Sequence, residues 1–317
     1  MLSEDQITQF DRDGFLIIEN VLDPEAVIAP LKADYAALLD RLYAHWFENG
    51  AVIIPPYGLS FEDKLMIAYS AGCDWFQPMD ISLPGDSISH DTPMHFSQAV
   101  MDLVTNEAVL DCVESLLGGE LTSNPIQHVR IKPPKATLKA DETRAHVGGT
   151  AWHQDRAVAH AEADATDMVT VWCAITDATV KNGCLQAIPR HPGDAMRPHC
   201  PQVQTSIAPG YLDEREAVTL PVKAGGIVLL HPLTPHASLD NTSDSIRWSF
   251  DLRYNVTGQP TGRAHFPSFI ARSRSNPSRE LRDVETWRRQ WEDARAQLAE
   301  RPHINIHRWS ADAPACA

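Results

Sequence analysis

His153 and Asp155 stand two residues apart in the run Trp152–His153–Gln154–Asp155–Arg156. On an extended strand, side chains at i and i+2 point to the same side, so an imidazole and a carboxylate at this spacing can reach one cation. Two histidines and one carboxylate on one face of a metal, with the other face open, form the donor set of a mononuclear non-haem iron(II) centre. The third donor must come from a distant segment. His231 and His236 both qualify: His231 closes an apolar run, and His236 precedes the small pair Ala237–Ser238. Arg247 lies eleven residues beyond His236, where Trp248, Phe250 and Leu252 alternate with Arg247, Ser249 and Asp251. That period reads as a strand with one apolar and one polar face. A guanidinium inside a barrel requires an anion, because an unpaired buried charge is costly. The distal carboxylate of 2-oxoglutarate meets that need, and Arg247 thereby favours His236 as the third donor.

Several elements are legible around these residues. Ser3 and Gln6 form a capping box that opens a short helix, and Gly14–Ile18 reads as a buried strand. Asp23 and Pro24 are an N-cap and first helical residue. Val27, Ile28, Leu31, Tyr35, Leu38, Leu39 and Leu42 then recur at helical spacing. Residues 50–95 are irregular and proline-rich. One helix is expected through Val100, Leu103, Val109, Val113 and Leu116, stopped by Gly118–Gly119. Short β-type runs follow: Ile126–Ile131, Met168–Ile175, Cys184–Ile188, Gly226–Leu230 and Trp248–Tyr254. Asn182–Gly183 carries a hairpin signal. A last helix presents Leu281, Val284, Trp287, Trp291 and Leu298 on one stripe. No repeat or linker interrupts the chain. The expected layout is one domain over 1–317, with a helical part at about 1–120, a β core at about 121–258 and a C-terminal helix within about 277–300.

Three stretches, WHQD at 152–155, VWCAITDATVKNGCLQAIPRHPG at 171–193 and HPLTPHASLDNTSDSIRWSFDLRYN at 231–255, resemble the phytanoyl-CoA dioxygenase family of iron(II)/2-oxoglutarate oxygenases. The segments LSEDQITQFDRDGFLIIENVLDPEAV at 2–27 and IQHVRIKPP at 126–134 resemble it too, so the likeness spans most of residues 1–255. The resemblance implies a mainly β fold with flanking helices, a double-stranded β-helix (jelly-roll, cupin-like) barrel. It implies His153, Asp155 and His236 as ligands of Fe(II), and Arg247 as partner of the 2-oxoglutarate C5 carboxylate with Ser238 beside it. Trp172 matches a position that contacts the cosubstrate. Gln127 and Arg130 face the same cavity if Ile126–Ile131 is a strand, and the arginine at 130 departs from the family pattern. The implied activity couples oxidative decarboxylation of 2-oxoglutarate by O2, with ascorbate as reductant in vitro, to hydroxylation or other oxidation of an unactivated C–H bond. Succinate and CO2 leave. An iron halogenase of this fold needs a small residue where Asp155 stands, so halogenation is not expected. The alternative is a cupin-type metal protein, an isomerase or a binding protein, that does not use 2-oxoglutarate; such a protein has no reason to keep Arg247 beside the metal.

Composition narrows the partners. A net charge of −15 argues against nucleic acid and, less strongly, against polyanionic substrates. No apolar run reaches the length of a membrane span, and the acidic start Met1–Asp5 is no signal peptide, so a cytoplasmic protein is expected. Six cysteines lack CxxC spacing and are expected to be free thiols, with no zinc site. The expected partner is a small molecule, uncharged or cationic and of secondary-metabolite type. Its expected walls are Tyr57, Trp75 and Phe76. His128 is either a core histidine or a cosubstrate contact, and 133–151 is expected to form a lid.

Overall fold

Period-2 alternation on the longest inner strands sets the architecture. The computed structural model describes all residues except 86, 143, 145, 146, 192, 203, 302–307 and 317. Its strands are β1 Phe15–Ile18, β2 Glu120–Lys132, β3 Thr150–His153, β4 Met168–Ala174, β5 Leu185–Ala187, β6 His199–Pro201, β7 Thr205–Ile207, β8 Val218–Leu220, β9 Ile227–Leu230, β10 His236–Ser238, β11 Arg247–Val256 and β12 Phe269–Ser273. The helices are α1 Glu4–Asp13, α2 Ala29–Glu48, α3 Phe61–Ser70, α4 Phe76–Met79, α5 Gln98–Val104, α6 Glu107–Leu117, α7 Asp155–Val158 and α8 Val284–Ala299. One sheet has the order β1-β9-β4-β11-β2-β12 and a second β3-β10-β5-β8, while β6 and β7 pair separately. The pairings are antiparallel.

The two faces of the large sheet have different destinations. Trp248, Phe250, Leu252 and Tyr254 of β11 join Val129, Ile131, Val169, Val171, Ile227 and Leu229 in the main core, packed with Leu31 and Tyr35 of α2, Val113 of α6 and Trp287 of α8. The intervening residues face the second sheet, where Trp172, Ala174, Val228 and Leu230 pack with Leu185, Ala187 and Leu220. Arg247, Ser249, Asp251 and Arg253 share that inner face, since alternate residues of a strand lie on one side. Polar side chains are therefore enclosed between the sheets, and the helices cover only the apolar side.

Local signals hold at most helix ends. Ser3 and Gln6 form the expected capping box on α1, and Asp23 caps a π-type turn, Pro24–Ile28, that leads into α2. Gly118 ends α6 with a φ of 84°, a conformation that suits glycine. Four expectations are corrected. The helix expected through Val100, Leu103, Val109, Val113 and Leu116 is two, because the Asn106 side chain accepts from the N–H groups of Ala108 and Val109 and starts α6 afresh. Asn182–Gly183 is a turn but no hairpin, because the strands on either side, β4 and β5, belong to different sheets. The fold brings residues 116 apart together, so Cys200 on β6 and Cys316 form a disulfide, whereas Cys73, Cys112, Cys173 and Cys184 are free thiols. Finally, β3 ends at His153, and Asp155 opens α7 instead of continuing the strand. Among the described residues no helix is long and apolar enough to cross a membrane.

Candidate metal centre and anion pocket

His153 and His236 are cross-strand partners on β3 and β10, which brings their ring centroids to 4.2 Å. Gln154 remains extended, with φ −117° and ψ 134°, so Asp155 still falls on the side of His153 although the strand has ended. The donor atoms of His153, Asp155 and His236 lie within 4.8 Å of one another, and all three residues are buried. His153 Nε2 is 3.8 Å from Asp155 Oδ1, and His236 Nε2 is 3.8 Å from Oδ2. His153 Nδ1–H donates to the Ala151 carbonyl at 2.8 Å and His236 Nδ1–H to that of Thr234 at 3.0 Å. Both tautomers are thereby set, and each Nε2 presents a lone pair to the shared space. The backbone N–H of Gln154 donates to His199 Nε2 at 3.0 Å, and its side-chain amide donates to the Leu233 carbonyl at 2.6 Å, which secures the bend between the two ligands.

Asp155 accepts from Thr170 Oγ1 at 2.6 Å and from the Arg253 guanidinium. Burial works to raise its pKa, but Arg253 and the two imidazoles outweigh it and hold the carboxyl well below the usual range. Burial, and then the adjacent His236, push His153 down to about 3. A neutral imidazole and a carboxylate are the forms that ligate a metal. The donor set fits a divalent first-row ion, with two imidazole nitrogens and one carboxylate oxygen converging from one side. His231 takes no part. Its Nδ1 accepts from the Leu233 N–H at 3.1 Å, and among the described residues the His153–Asp155–His236 group is the one cluster of three such donors.

His153 and His236 open onto a small cavity lined also by Arg130, Trp172, Ser238, Arg247, Asp251 and Arg253, with Asp155 buried behind them. Arg247 is 1% exposed. It donates from Nη1 to Ser249 Oγ at 2.7 Å and lies 5.2 Å from the Trp172 ring. Its Nε and the Trp172 Nε1 have no hydrogen-bond partner, and no described carboxylate comes within salt-bridge reach of the guanidinium. Burial pushes the Arg247 pKa down to about 10, against the pull of Asp251. A buried cation with an unused donor, beside a hydroxyl and an indole, suits a carboxylate from outside the chain.

The structure separates the other expected site residues. Arg130 lines the cavity and pairs with Asp251. Gln127 does not line it: three residues from Arg130, it falls on the opposite face of β2, and its amide donates to the Ile81 carbonyl at 2.8 Å. His128 hydrogen-bonds through Nδ1 to Asp80 Oδ2 at 2.9 Å and is not among the lining residues. Trp75 and Phe76 are packed in the main core, and Tyr57 projects into solvent at 87% exposure, so none of the three forms a wall of this cavity. In the loop expected as a lid, residues 143, 145 and 146 lie outside the described residues. Its middle is tied to α3, where the Tyr69 hydroxyl donates to Glu142 and accepts from the Lys139 N–H, and its ends are tied to Asp240 and Ser238. Sequence reasoning missed Arg253, Thr170 and Lys132. Extending the Arg247–Ser249–Asp251 alternation by two residues reaches Arg253; no local pattern marks Lys132.

Residues 10–249 match the family model for phytanoyl-CoA dioxygenase (PhyH). A Caenorhabditis elegans phytanoyl-CoA dioxygenase domain-containing protein 1 homolog is 24% identical over 269 residues, 77% of this chain and 88% of the relative. The Mus musculus phytanoyl-CoA dioxygenase domain-containing protein 1 is 24% identical over 275 residues, covering 79% and 89%. Among solved structures, the apo form of the non-heme monooxygenase ThoJ superposes with a TM-score of 0.54 at 19% identity, covering 93% of this chain and 99% of that one. EvdO2 from Micromonospora carbonacea var. aurantiaca, complexed with 2-oxoglutarate, gives 0.51 at 20% identity, covering 89% and 96%. The match over residues 10–249, which contains the three metal-facing residues and Arg247, shows that the chain belongs to the phytanoyl-CoA dioxygenase family.

Proposed function

We propose that this protein is a non-haem iron(II)- and 2-oxoglutarate-dependent oxygenase that oxidises an unactivated C–H bond of a small organic molecule. Arg247 is the observation that carries the reading: a buried guanidinium without a carboxylate partner among the described residues, on the wall of the cavity onto which the two histidines of the His–Asp–His set open. Family membership and the 2-oxoglutarate bound in a structure of similar fold support it. Iron(II) with 2-oxoglutarate supplies the oxidising power from O2 and releases succinate and CO2. In this reading, His153, Asp155 and His236 hold the metal. Arg247, with Ser238 and Trp172, orients the cosubstrate from the opposite end. Thr170 and Arg253 keep the Asp155 carboxylate ionised and aimed, and the two facing sheets exclude water from the reacting atoms. The fold inferred is a double-stranded β-helix in one domain spanning the chain, with β3-β10-β5-β8 as one wall and the large sheet as the other. The substrate inferred is an uncharged or cationic molecule of secondary-metabolite type, in keeping with the net charge of −15.

Incubation with Fe(II), 2-oxoglutarate, ascorbate and 18O2 across a metabolite library tests this. The expected result is succinate carrying one labelled oxygen and an oxidised product, unchlorinated even in high chloride because Asp155 fills a coordination position. Bound iron without succinate from any candidate favours a cupin-type metal protein instead.

Arg253→Met separates the support of Asp155 from the metal site itself. Breaking a buried ion pair leaves an uncompensated charge, at a cost of about 3–5 kcal/mol. The metal-free variant should therefore unfold at a distinctly lower temperature than wild type, and Mn(II) should recover much of the difference, since the cation takes over the charge of Asp155. Equal destabilisation with and without Mn(II) would mean that Arg253 acts on the fold alone.

A further inference from the structure

One acceptor in the cavity wall has no matching donor. Ser238 Oγ accepts from Lys132 Nζ at 2.8 Å and from the Thr150 N–H at 2.9 Å, and Thr170 Oγ1 donates to Asp155. Arg247 Nε, Trp172 Nε1, Arg253 Nε and Asp251 Oδ1 have no hydrogen-bond partner among the described residues. The first three are donors, and an acceptor ligand satisfies them. Ionised 2-oxoglutarate is such a ligand, since its two carboxylates and keto group accept hydrogen bonds and donate none. Asp251 Oδ1 is different. Asp251 lies on the inner face of β11, two residues before Arg253, and is 7% exposed. Its Oδ2 accepts from Arg130 Nε, and the indole of Trp172, its cross-strand partner on β4, does not reach Oδ1. Burial works to raise the Asp251 pKa, but Arg130, and then Arg253, hold it below the usual range, so Oδ1 belongs to a carboxylate. A buried carboxylate oxygen without a donor is costly, and the cosubstrate has no proton to supply.

We propose that Asp251 orients the substrate, and that the substrate is a neutral molecule presenting a hydroxyl group to it. This rests on the reading of the cavity as a 2-oxoglutarate-dependent oxygenase site and narrows the substrate class of that site. The position suits the role. Along β11, Asp251 stands between Arg247, the cosubstrate anchor, and Arg253, the support of Asp155. It faces the cavity from the large sheet, whereas His153 and His236 face it from the second sheet. The surrounding charge selects a hydroxyl over an ammonium. Arg130, Arg247 and Arg253 line the same cavity, and like charges repel strongly at short range in a buried site. A hydroxyl donates one proton and brings no charge. The same contact discriminates between substrates. An O-methylated analogue has no proton for Asp251 and leaves the carboxylate oxygen unpaired, the arrangement by which a buried polar site rejects an analogue most strongly.

Paramagnetic relaxation of probe protons by Mn(II) tests the assignment, with the metal and 2-oxoglutarate bound to the protein in the absence of air. The probes are cyclohexanol, benzyl alcohol and methyl β-glucopyranoside, each beside its fully O-methylated ether, with cyclohexylammonium as the charged comparison. At least one alcohol should be relaxed at a concentration roughly 10- to 100-fold below that of its ether, the factor carried by a hydrogen bond to a charged group. In Asp251→Asn the amide oxygen takes over the bond from Arg130 and the amide N–H groups face the cavity. The alcohol preference should then vanish or pass to the ether, while 2-oxoglutarate affinity, read by calorimetry, should not fall. Should Asp251→Asn fail to fold, its combination with Arg130→Gln takes its place. Alcohols and ethers relaxed alike in the wild type, the result if Oδ1 holds only water, overturn the proposal. So do an alcohol preference that persists in Asp251→Asn, equal weakening of alcohol and ether in that variant, and cyclohexylammonium bound more tightly than cyclohexanol. Wild-type protein that does not bind 2-oxoglutarate overturns the parent reading together with the inference. Wild-type protein that binds 2-oxoglutarate yet shows no alcohol preference overturns the inference alone.

Discussion

His236→Ala is expected to abolish succinate formation and to weaken Fe(II) or Mn(II) binding by more than roughly 100-fold, beyond what a change outside the ligand sphere costs. The imidazole is one of three groups that converge within 4.8 Å, and two donors leave a divalent ion bound loosely and without fixed geometry. His231→Ala is the matched control. It removes a nearby half-buried imidazole that accepts from the Leu233 N–H, a loss of about 1 kcal/mol in stability, and should leave metal binding near the wild-type level. Titration of Mn(II) by electron paramagnetic resonance, alongside succinate release, reads both variants. The opposite pattern would make His231 the third ligand.

Arg247→Ala is expected to raise the 2-oxoglutarate requirement roughly 30- to 5,000-fold, the equivalent of about 2–5 kcal/mol for truncating one partner of a buried charge pair. The KM for the oxidised substrate should move far less. This guanidinium is 1% exposed and its Nε lacks a partner, so the cosubstrate carboxylate is the group that stands to lose most. Removing Arg247 also relieves the free protein of a buried charge with no acid partner among the described residues, and the thermal midpoint is therefore not expected to fall steeply. Equal increases in both KM values, together with a lowered midpoint, would point to a damaged fold instead.

These expectations rest on residues that differ in how far the sequence reveals them. The strand carrying Arg247 was legible because its alternation is local: neighbouring residues alone determine which side chains share a face. The His153–Asp155 spacing is local in the same sense, and it survived the end of β3 because Gln154 stays extended. The Ser3–Gln6 and Asp23–Pro24 caps belong to this class. Gln127 was misplaced for want of the same rule, since a residue three positions from Arg130 cannot share its face on a regular strand. Tyr57, Trp75 and Phe76 failed for another reason. Aromatic side chains in an irregular segment have no period to orient them, and tertiary packing placed Trp75 and Phe76 in the main core.

The sequence by itself determined the donor types, the strand character of the segments that carry the two histidines and Arg247, and the family. Tertiary structure decided which of two histidines faces Asp155, because that choice depends on β10 pairing with β3 across more than 80 residues. It also decided that Arg253 meets Asp155 across 98 residues, that Lys132 meets Ser238 across 106, and that Cys200 meets Cys316 across 116. Local periodicity assigns a side chain to a face. Which faces come together is set by sheet order, and sheet order follows from burying one apolar side of β2, β4, β9 and β11 under the helices, which leaves the charged side of β2 and β11 enclosed with the metal ligands.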